Sequence, residues 1–299
     1  MGPDEDLPTL VGRKDHLNVL RYIRAHQLRE PDLVIEHGKA LLGPNLTGGL
    51  SSDEAARLAV LEQICYASVD VQEHSTAEIC LSQIRKAVGK DPVRFRMILA
   101  RCLEAAGDND GASLIYDDIL KENPSNLMAL KRKYCMAPTE KESIETLNAY
   151  LQQSPCDTAA WYEMAKLRMS IGDYKSAVFA LEEVVLGCPL DSPIHCQLAE
   201  AYATLGGVAN LQLARKHMAQ ALELDDTNKR AMFGLVSVAK AYLDEVSKQG
   251  KKKAVDEHDV EVAKELFKFG ADKLAKAYKG TKMYAAVQQV VKQQTEGVV

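Results

Sequence analysis

The chain has no apolar run long enough to cross a bilayer; its most apolar stretch, AVFALEEVVLG, is short and broken by two glutamates. It has no basic surplus either. With 37 Lys and Arg against 42 Asp and Glu, the formal charge of −5 offers no footprint for a phosphate backbone, so nucleic acid is not an expected partner. The seven cysteines (Cys65, Cys80, Cys102, Cys135, Cys156, Cys188 and Cys196) are odd in number and form no Cys-x-x-Cys pair. The start, MGPDEDLPTL, is acidic rather than leader-like, and free thiols in a reducing compartment are expected. A myristoylation signal would need Ser or Thr where Asp6 stands. Neither G-x-x-x-x-G-K-[ST] nor G-x-G-x-x-G occurs, so no phosphate or dinucleotide cradle is expected.

What is present is material for a core: 46% hydrophobic and 26% charged residues predict a folded, soluble protein rather than a disordered one. One phrase recurs. GDNDGASLIYDD at 107–118 and GDYKSAVFALEE at 172–183 share Gly-Asp, an alanine five residues after the glycine (Ala112, Ala177), a large apolar residue four further on (Tyr116, Leu181) and a closing pair of acids. Pro124, Pro155 and Pro189 each end one helical pattern and open another, at intervals of 31 and 34 residues, and Asp226 takes the proline's place 37 residues later. Those intervals give a repeat period rather than a site.

Residues with catalytic or metal chemistry find blander explanations. Asp117-Asp118, Glu182-Glu183 and Asp225-Asp226 are neighbours on helices, pointing about 100° apart, and suit solvated faces better than general acid and base. Cys188, His195 and Cys196 lack a fourth ligand at usable spacing, and His195 falls on a large position of the repeat, so neither a metal site nor a Cys/His nucleophile is expected. The lysines at 251–253 suit a solvated loop better than a lipid-binding or nuclear-import signal. No cofactor and no enzymatic activity are expected.

The period resembles the tetratricopeptide (TPR) repeat, 34 residues of helix, turn and helix. From residue 158, Trp161, Met164, Ala165, Gly172, Ala177, Leu181 and Pro189 fill its pattern; from 93, Leu99, Ala100, Leu103, Gly107, Ala112, Tyr116, Ile119 and Pro124 do so; Leu198, Ala199, Tyr202 and Gly206 lead a third. The fold expected is all-α, a TPR-type superhelix, or α-solenoid, with helical caps at both ends. An N-terminal cap spans 1–60, with Leu17, Leu20 and Ile23 on one face, Pro31 opening a helix, and GPNLTGGLSSD as a loop. The array spans 61–245, with good repeats at 93–126, 158–191 and 192–228 and degenerate ones at 61–92 and 127–157. A lysine-rich connector and capping helices fill 246–299, where Ala263, Leu266, Phe267, Gly270, Leu274 and Tyr278 keep helical spacing.

In such a stack the first helix of each pair lines a groove that binds protein segments. The groove-facing places hold Arg94, Met97, Arg101 and Glu104; Ala159, Tyr162, Lys166 and Met169; Cys196 and Glu200; and Arg230, Phe233 and Lys240. Their mixture of basic and large apolar groups suits a polypeptide partner. The carboxylate clamp of chaperone-binding TPR proteins, lysine at the fifth place and asparagine at the ninth, is absent: those places read Met97 and Arg101, Tyr162 and Lys166, Cys196 and Glu200.

KRK before a shortened turn at Pro138, LNAYL, and the insertion GGVANLQLARK follow in an order that generic TPR spacing does not produce. Over roughly 93–245 the chain resembles the family of subunit 2 of the endoplasmic reticulum (ER) membrane protein complex. The resemblance implies a non-catalytic scaffold, peripheral on the cytosolic face of the ER membrane, bound to membrane-embedded and cytosolic sister subunits of a machine that inserts transmembrane segments. The other reading is a free TPR adaptor or co-chaperone.

Overall fold

The computed structural model describes residues 6–42, 54–249 and 256–295, and every regular element among them is an α-helix. The loop expected at 43–53, the lysines at 251–253 and the Met1-Gly2 start lie outside those residues. The chain forms two compact units, Met1–Ala137 and Pro138–Val299.

The first unit comprises α1 (Leu7–Gly12), α2 (His16–Ala25), α3 (Pro31–Leu41), α4 (Glu54–Asp70), α5 (His74–Val88), α6 (Val93–Ala105), α7 (Asn109–Glu122) and α8 (Leu127–Met136). α2 buries Leu20 and Ile23 and half-buries Leu17, and Pro31 occupies the first turn of α3. α3 and α4 meet at Gly38, where an added Cβ would lie 2.7 Å from Ile64 Cγ1, so only a residue without a side chain fits unless Ile64 moves. Val19, Leu20, Val34 and Ile35 share one apolar cluster with Leu61, Ile64, Cys80, Ile84, Phe95 and Ile98. A second cluster joins Met97 and Ala100 of α6, Ala112, Tyr116 and Ile119 of α7, and Ala129 of α8.

The second unit comprises α9 (Glu140–Gln153), α10 (Thr158–Ser170), α11 (Tyr174–Gly187), α12 (Ser192–Leu205), α13 (Val208–Leu224), α14 (Lys229–Gln249), α15 (Glu257–Tyr278) and α16 (Tyr284–Thr295). The recurring phrase builds the same joint in each unit. Gly107 and Gly172 take φ of 83° and 78°, a left-handed conformation that ends α6 and α10 without the steric cost a Cβ would bring. Asp108 and Asp173 then accept from the backbone N–H of Gly111 and Ser176, capping α7 and α11 at a value of about 1 kcal/mol each. Ala112 and Ala177 are wholly buried, as is the large residue four positions on in each case. The residues inserted at GGVANLQLA lengthen α13 to 17 residues against 14 in α11.

Beyond the repeats, α15 lies against α14, burying Ala263, Phe267, Gly270 and Leu274. A Cβ on Gly270 would come within 2.9 Å of Val236 Cγ2. Arg215 of α13, 2% exposed, holds the start of this helix: Nη1 donates to the Asp259 carbonyl at 2.8 Å, Nη2 pairs with Asp259 Oδ1 at 3.3 Å, and the guanidinium lies 4.7 Å over the Tyr242 ring. Gln212 Nε2 donates to the second carboxylate oxygen at 2.7 Å. Among the described residues no helix is long and apolar enough to cross a membrane.

Candidate partner-binding surface

The first helices of successive pairs are α4, α6 and α8 in the first unit and α10, α12 and α14 in the second. A repeating ion pair stitches them. Glu62 of α4 receives Arg94 of α6, Glu104 of α6 receives Arg132 of α8, and Glu200 of α12 receives Arg230 of α14. Each arginine lies 28 to 32 residues after its glutamate, close to one repeat. The pairing joins successive repeats, so the pattern within one repeat does not reveal it.

The pairs differ in worth because they differ in exposure. The Arg94 and Arg230 side chains are 74% and 53% exposed, so water screens their attraction and each pair contributes well under about 1 kcal/mol. Glu104 is nearly enclosed: Arg101 donates at 3.0 Å, Arg132 Nε at 3.1 Å, and the Tyr116 hydroxyl at 2.5 Å. Burial, reinforced by the hydrogen bond to that carboxylate, pushes the Tyr116 phenol well above its usual range. The charges of Arg94, Arg101 and Arg230 are thus already matched within the chain. Tyr66, half-buried beside Glu62, is pushed up to about 12 by burial.

In the second unit the structure brings Tyr162 and Lys166 together on α10, the ammonium 4.1 Å from the centre of the ring. Gln197 of α12 donates to the Tyr162 hydroxyl at 2.9 Å, one turn from Glu200 and its Arg230 pair. Tyr162, Lys166, Gln197, Glu200 and Arg230 make one connected face across three helices. Among the described residues Lys166 has no carboxylate partner within ion-pair distance. Met169 is half-buried at the end of α10. Phe233 is met edge-on by Tyr278 of α15 at 6.0 Å between ring centres, and Lys240 pairs within its own helix with Asp244 at 3.4 Å.

Two of the groove positions depart from expectation. Met97 is 7% exposed, packed in the cluster that includes Ala129 of α8. Cys196 is wholly buried, with Asn228 Nδ2 3.6 Å from its sulfur. Both occupy the fifth place of a first helix, where the first helix of the following pair stacks; a short or straight side chain there is covered. Tyr162 occupies the same place, and its longer side chain carries the hydroxyl out to Gln197.

Several of the paired acids are engaged as well as solvated. Asp117 pairs with Lys133, Asp118 with Lys121, and Glu182 accepts from the Tyr202 hydroxyl, while Asp225 accepts from Thr227. His195 belongs to a histidine pair that its sequence neighbours gave no sign of. Its Nε2 donates to the Pro189 carbonyl at 3.0 Å, so its Nδ1 accepts from His217 Nδ1, also at 3.0 Å. Burial, then the nearness of His195, lowers the His217 pKa. The first unit holds a counterpart, His16 and His37, with Nδ1 atoms 2.9 Å apart and the His37 pKa lowered by burial. On α11 the outward Phe179, 55% exposed, meets Trp161 edge-on at 5.8 Å, an apolar spot outside the first-helix face.

Residues 78–223 match the family model described as the EMC2 TPR-like repeat domain. The chain is similar to ER membrane protein complex subunit 2-A of Xenopus laevis, 34% identical over 230 residues that make up 74% of each chain. It is also similar to ER membrane protein complex subunit 2 of Dictyostelium discoideum, 31% identical over 211 residues, 70% of this chain and 65% of that one. The solved structure of the MamA protein overlaps 63% of this chain and 94% of its own at 17% identity, with a TM-score of 0.44.

Proposed function

The chain belongs to the family of ER membrane protein complex subunit 2, and from that premise we propose that it is a non-catalytic scaffold of that complex. In this reading it sits peripherally on the cytosolic face of the ER membrane, held there by membrane-embedded sister subunits. Its first-helix faces bind polypeptide of those sisters and of cytosolic ones, and the insertion of transmembrane segments is left to the membrane subunits. The observation that carries the reading is the identity of about a third shared with a named subunit of the complex across 74% of both chains.

The side chains suit such a task. Tyr162 offers a ring and Lys166 an unmatched cation to a segment carrying an apolar residue beside an acidic one. The Arg94–Glu62 and Arg230–Glu200 pairs present matched charges, which favour alternating polar segments over a uniformly acidic tail.

Immunoprecipitation of this chain from detergent-solubilised membranes tests the assignment. The expected result is co-recovery of other subunits of the complex; recovery of none of them, with the chain wholly in the soluble fraction, overturns it. The double variant Tyr162→Ala, Lys166→Glu tests the surface. It keeps the helical circular dichroism of the parent and reduces recovery of sister subunits, whereas unchanged assembly removes the α10 face from the partner surface.

A further inference from the structure

α4 and α6 bring two thiols of the first unit into contact. Cys65 Sγ lies 3.6 Å from Cys102 Sγ and 3.7 Å from the carbonyl oxygen of Ala77 on α5. Cys65 is wholly buried, whereas Cys102 is partly exposed. Neither takes part in the partner surface. A disulfide bond of about 2.05 Å is within reach of a side-chain approach of roughly 1.5 Å. Both sulfurs are reduced here. We propose that Cys65 and Cys102 form a peroxide-responsive pair, in which Cys102 is oxidised first and Cys65 then closes an intramolecular disulfide joining α4 to α6.

The order follows from access and electrostatics. Cys102 is the more exposed residue of the two. The hydrogen-bond contact with Cys65, aided by the neighbouring Arg101 cation, holds its pKa below the ordinary thiol value. The contact with Cys102 and burial raise the Cys65 pKa, so Cys65 stays protonated until it is called upon. Cys80, buried nearby, is pushed up to about 12 by burial and competes poorly.

In the first step the Cys102 thiolate attacks one oxygen of hydrogen peroxide. The O–O bond breaks, leaving a sulfenic acid on Cys102 and a hydroxide that takes up a proton as water. In the second step Cys65 gives up its proton and its sulfur attacks the Cys102 sulfur; the S–O bond breaks and the hydroxide leaves as water. Two thiols and one peroxide become one disulfide and two waters. The product ties together the first helices of two successive pairs in the first unit.

Treating the purified full-length chain with graded hydrogen peroxide, followed by digestion without reductant and mass spectrometry, tests the pair. The expected product is a Cys65–Cys102 linked peptide, lighter by two hydrogens than its parts, which forms before the exposed Cys135, Cys156 and Cys188 are modified and is reversed by dithiothreitol. Cys80→Ala leaves the link intact. Cys65→Ala removes the resolving thiol, and dimedone then traps the sulfenic acid on Cys102, with helical circular dichroism confirming that the variant is folded. Oxidation of Cys135, Cys156 or Cys188 while Cys65 and Cys102 remain reduced overturns the proposal, as does a Cys80–Cys102 link in place of the expected one.

Discussion

The joint between α6 and α7 and the joint between α10 and α11 are built to one backbone plan and loaded differently. Both have a left-handed glycine, an aspartate cap and a wholly buried alanine. At the next core position the second unit places Leu181, which has only packing to give. The first unit places Tyr116, whose ring fills the same kind of space while its hydroxyl enters a network with Glu104, Arg101 and Arg132. The difference teaches that the repeat pattern constrains volume and backbone, and leaves each pair free to add a polar lock between its neighbours.

That contrast can be broken first at its packing end. Leu181→Ala is expected to cost about 2–5 kcal/mol, since the side chain is wholly buried, and urea unfolding followed by circular dichroism measures it. Ala112→Leu and Ala177→Leu come next, at about 1–3 kcal/mol each, and should be alike if the two joints share a plan. A large asymmetry between them would mean that the polar network in the first unit also limits how far its helices can separate.

Tyr116→Phe sharpens the comparison at its polar end. The ring is kept and one hydrogen bond to a charged group is lost, for an expected loss of about 1.5–3 kcal/mol. Combined with Arg132→Met, the loss should differ from the sum of the single changes, because both side chains act on one carboxylate.

The smallest effect is one of pH, and the two units should share it. His217 and His37 both have pKa values lowered by burial from 6.5, so the unfolded chain binds more protons than the folded one in mildly acidic solution. Stability present above about pH 6.5 is therefore lost as pH falls below it. Each site contributes less than the roughly 1.4 kcal/mol per pH unit that a full proton difference would give. Replacing either histidine by glutamine should flatten the dependence of thermal midpoint between pH 7 and 5, a response that melting curves across the range will show.

Much of the fold was legible because its determinants are local and recur. Gly107 and Gly172, the aspartates after them, Ala112 and Ala177, and the buried residues of α15 all sit where spacing alone predicts. What spacing concealed depends on the next pair of helices. Met97 and Cys196 are covered by residues some thirty positions later, and Glu62, Glu104 and Glu200 find their arginines at the same distance. Of the candidate surface, Tyr162 and Lys166 were legible because they lie one turn apart on a single helix. The histidine pairs were not, since their members stand 21 and 22 positions apart and no helical period links them.

The hold of Arg215 on Asp259 bears on how the polypeptide would behave if cut. Arg215 and Asp259 are 44 positions apart, and the chain between them includes the whole of α14 and the stretch that follows it, yet the contact itself is non-covalent. Together with the α14–α15 packing around Gly270, it should let a chain nicked between 249 and 256 keep its last two helices in place through gel filtration. The two pieces, expressed separately, should then assemble into a working whole, offering a site for a split reporter that signals when this end of the protein is folded.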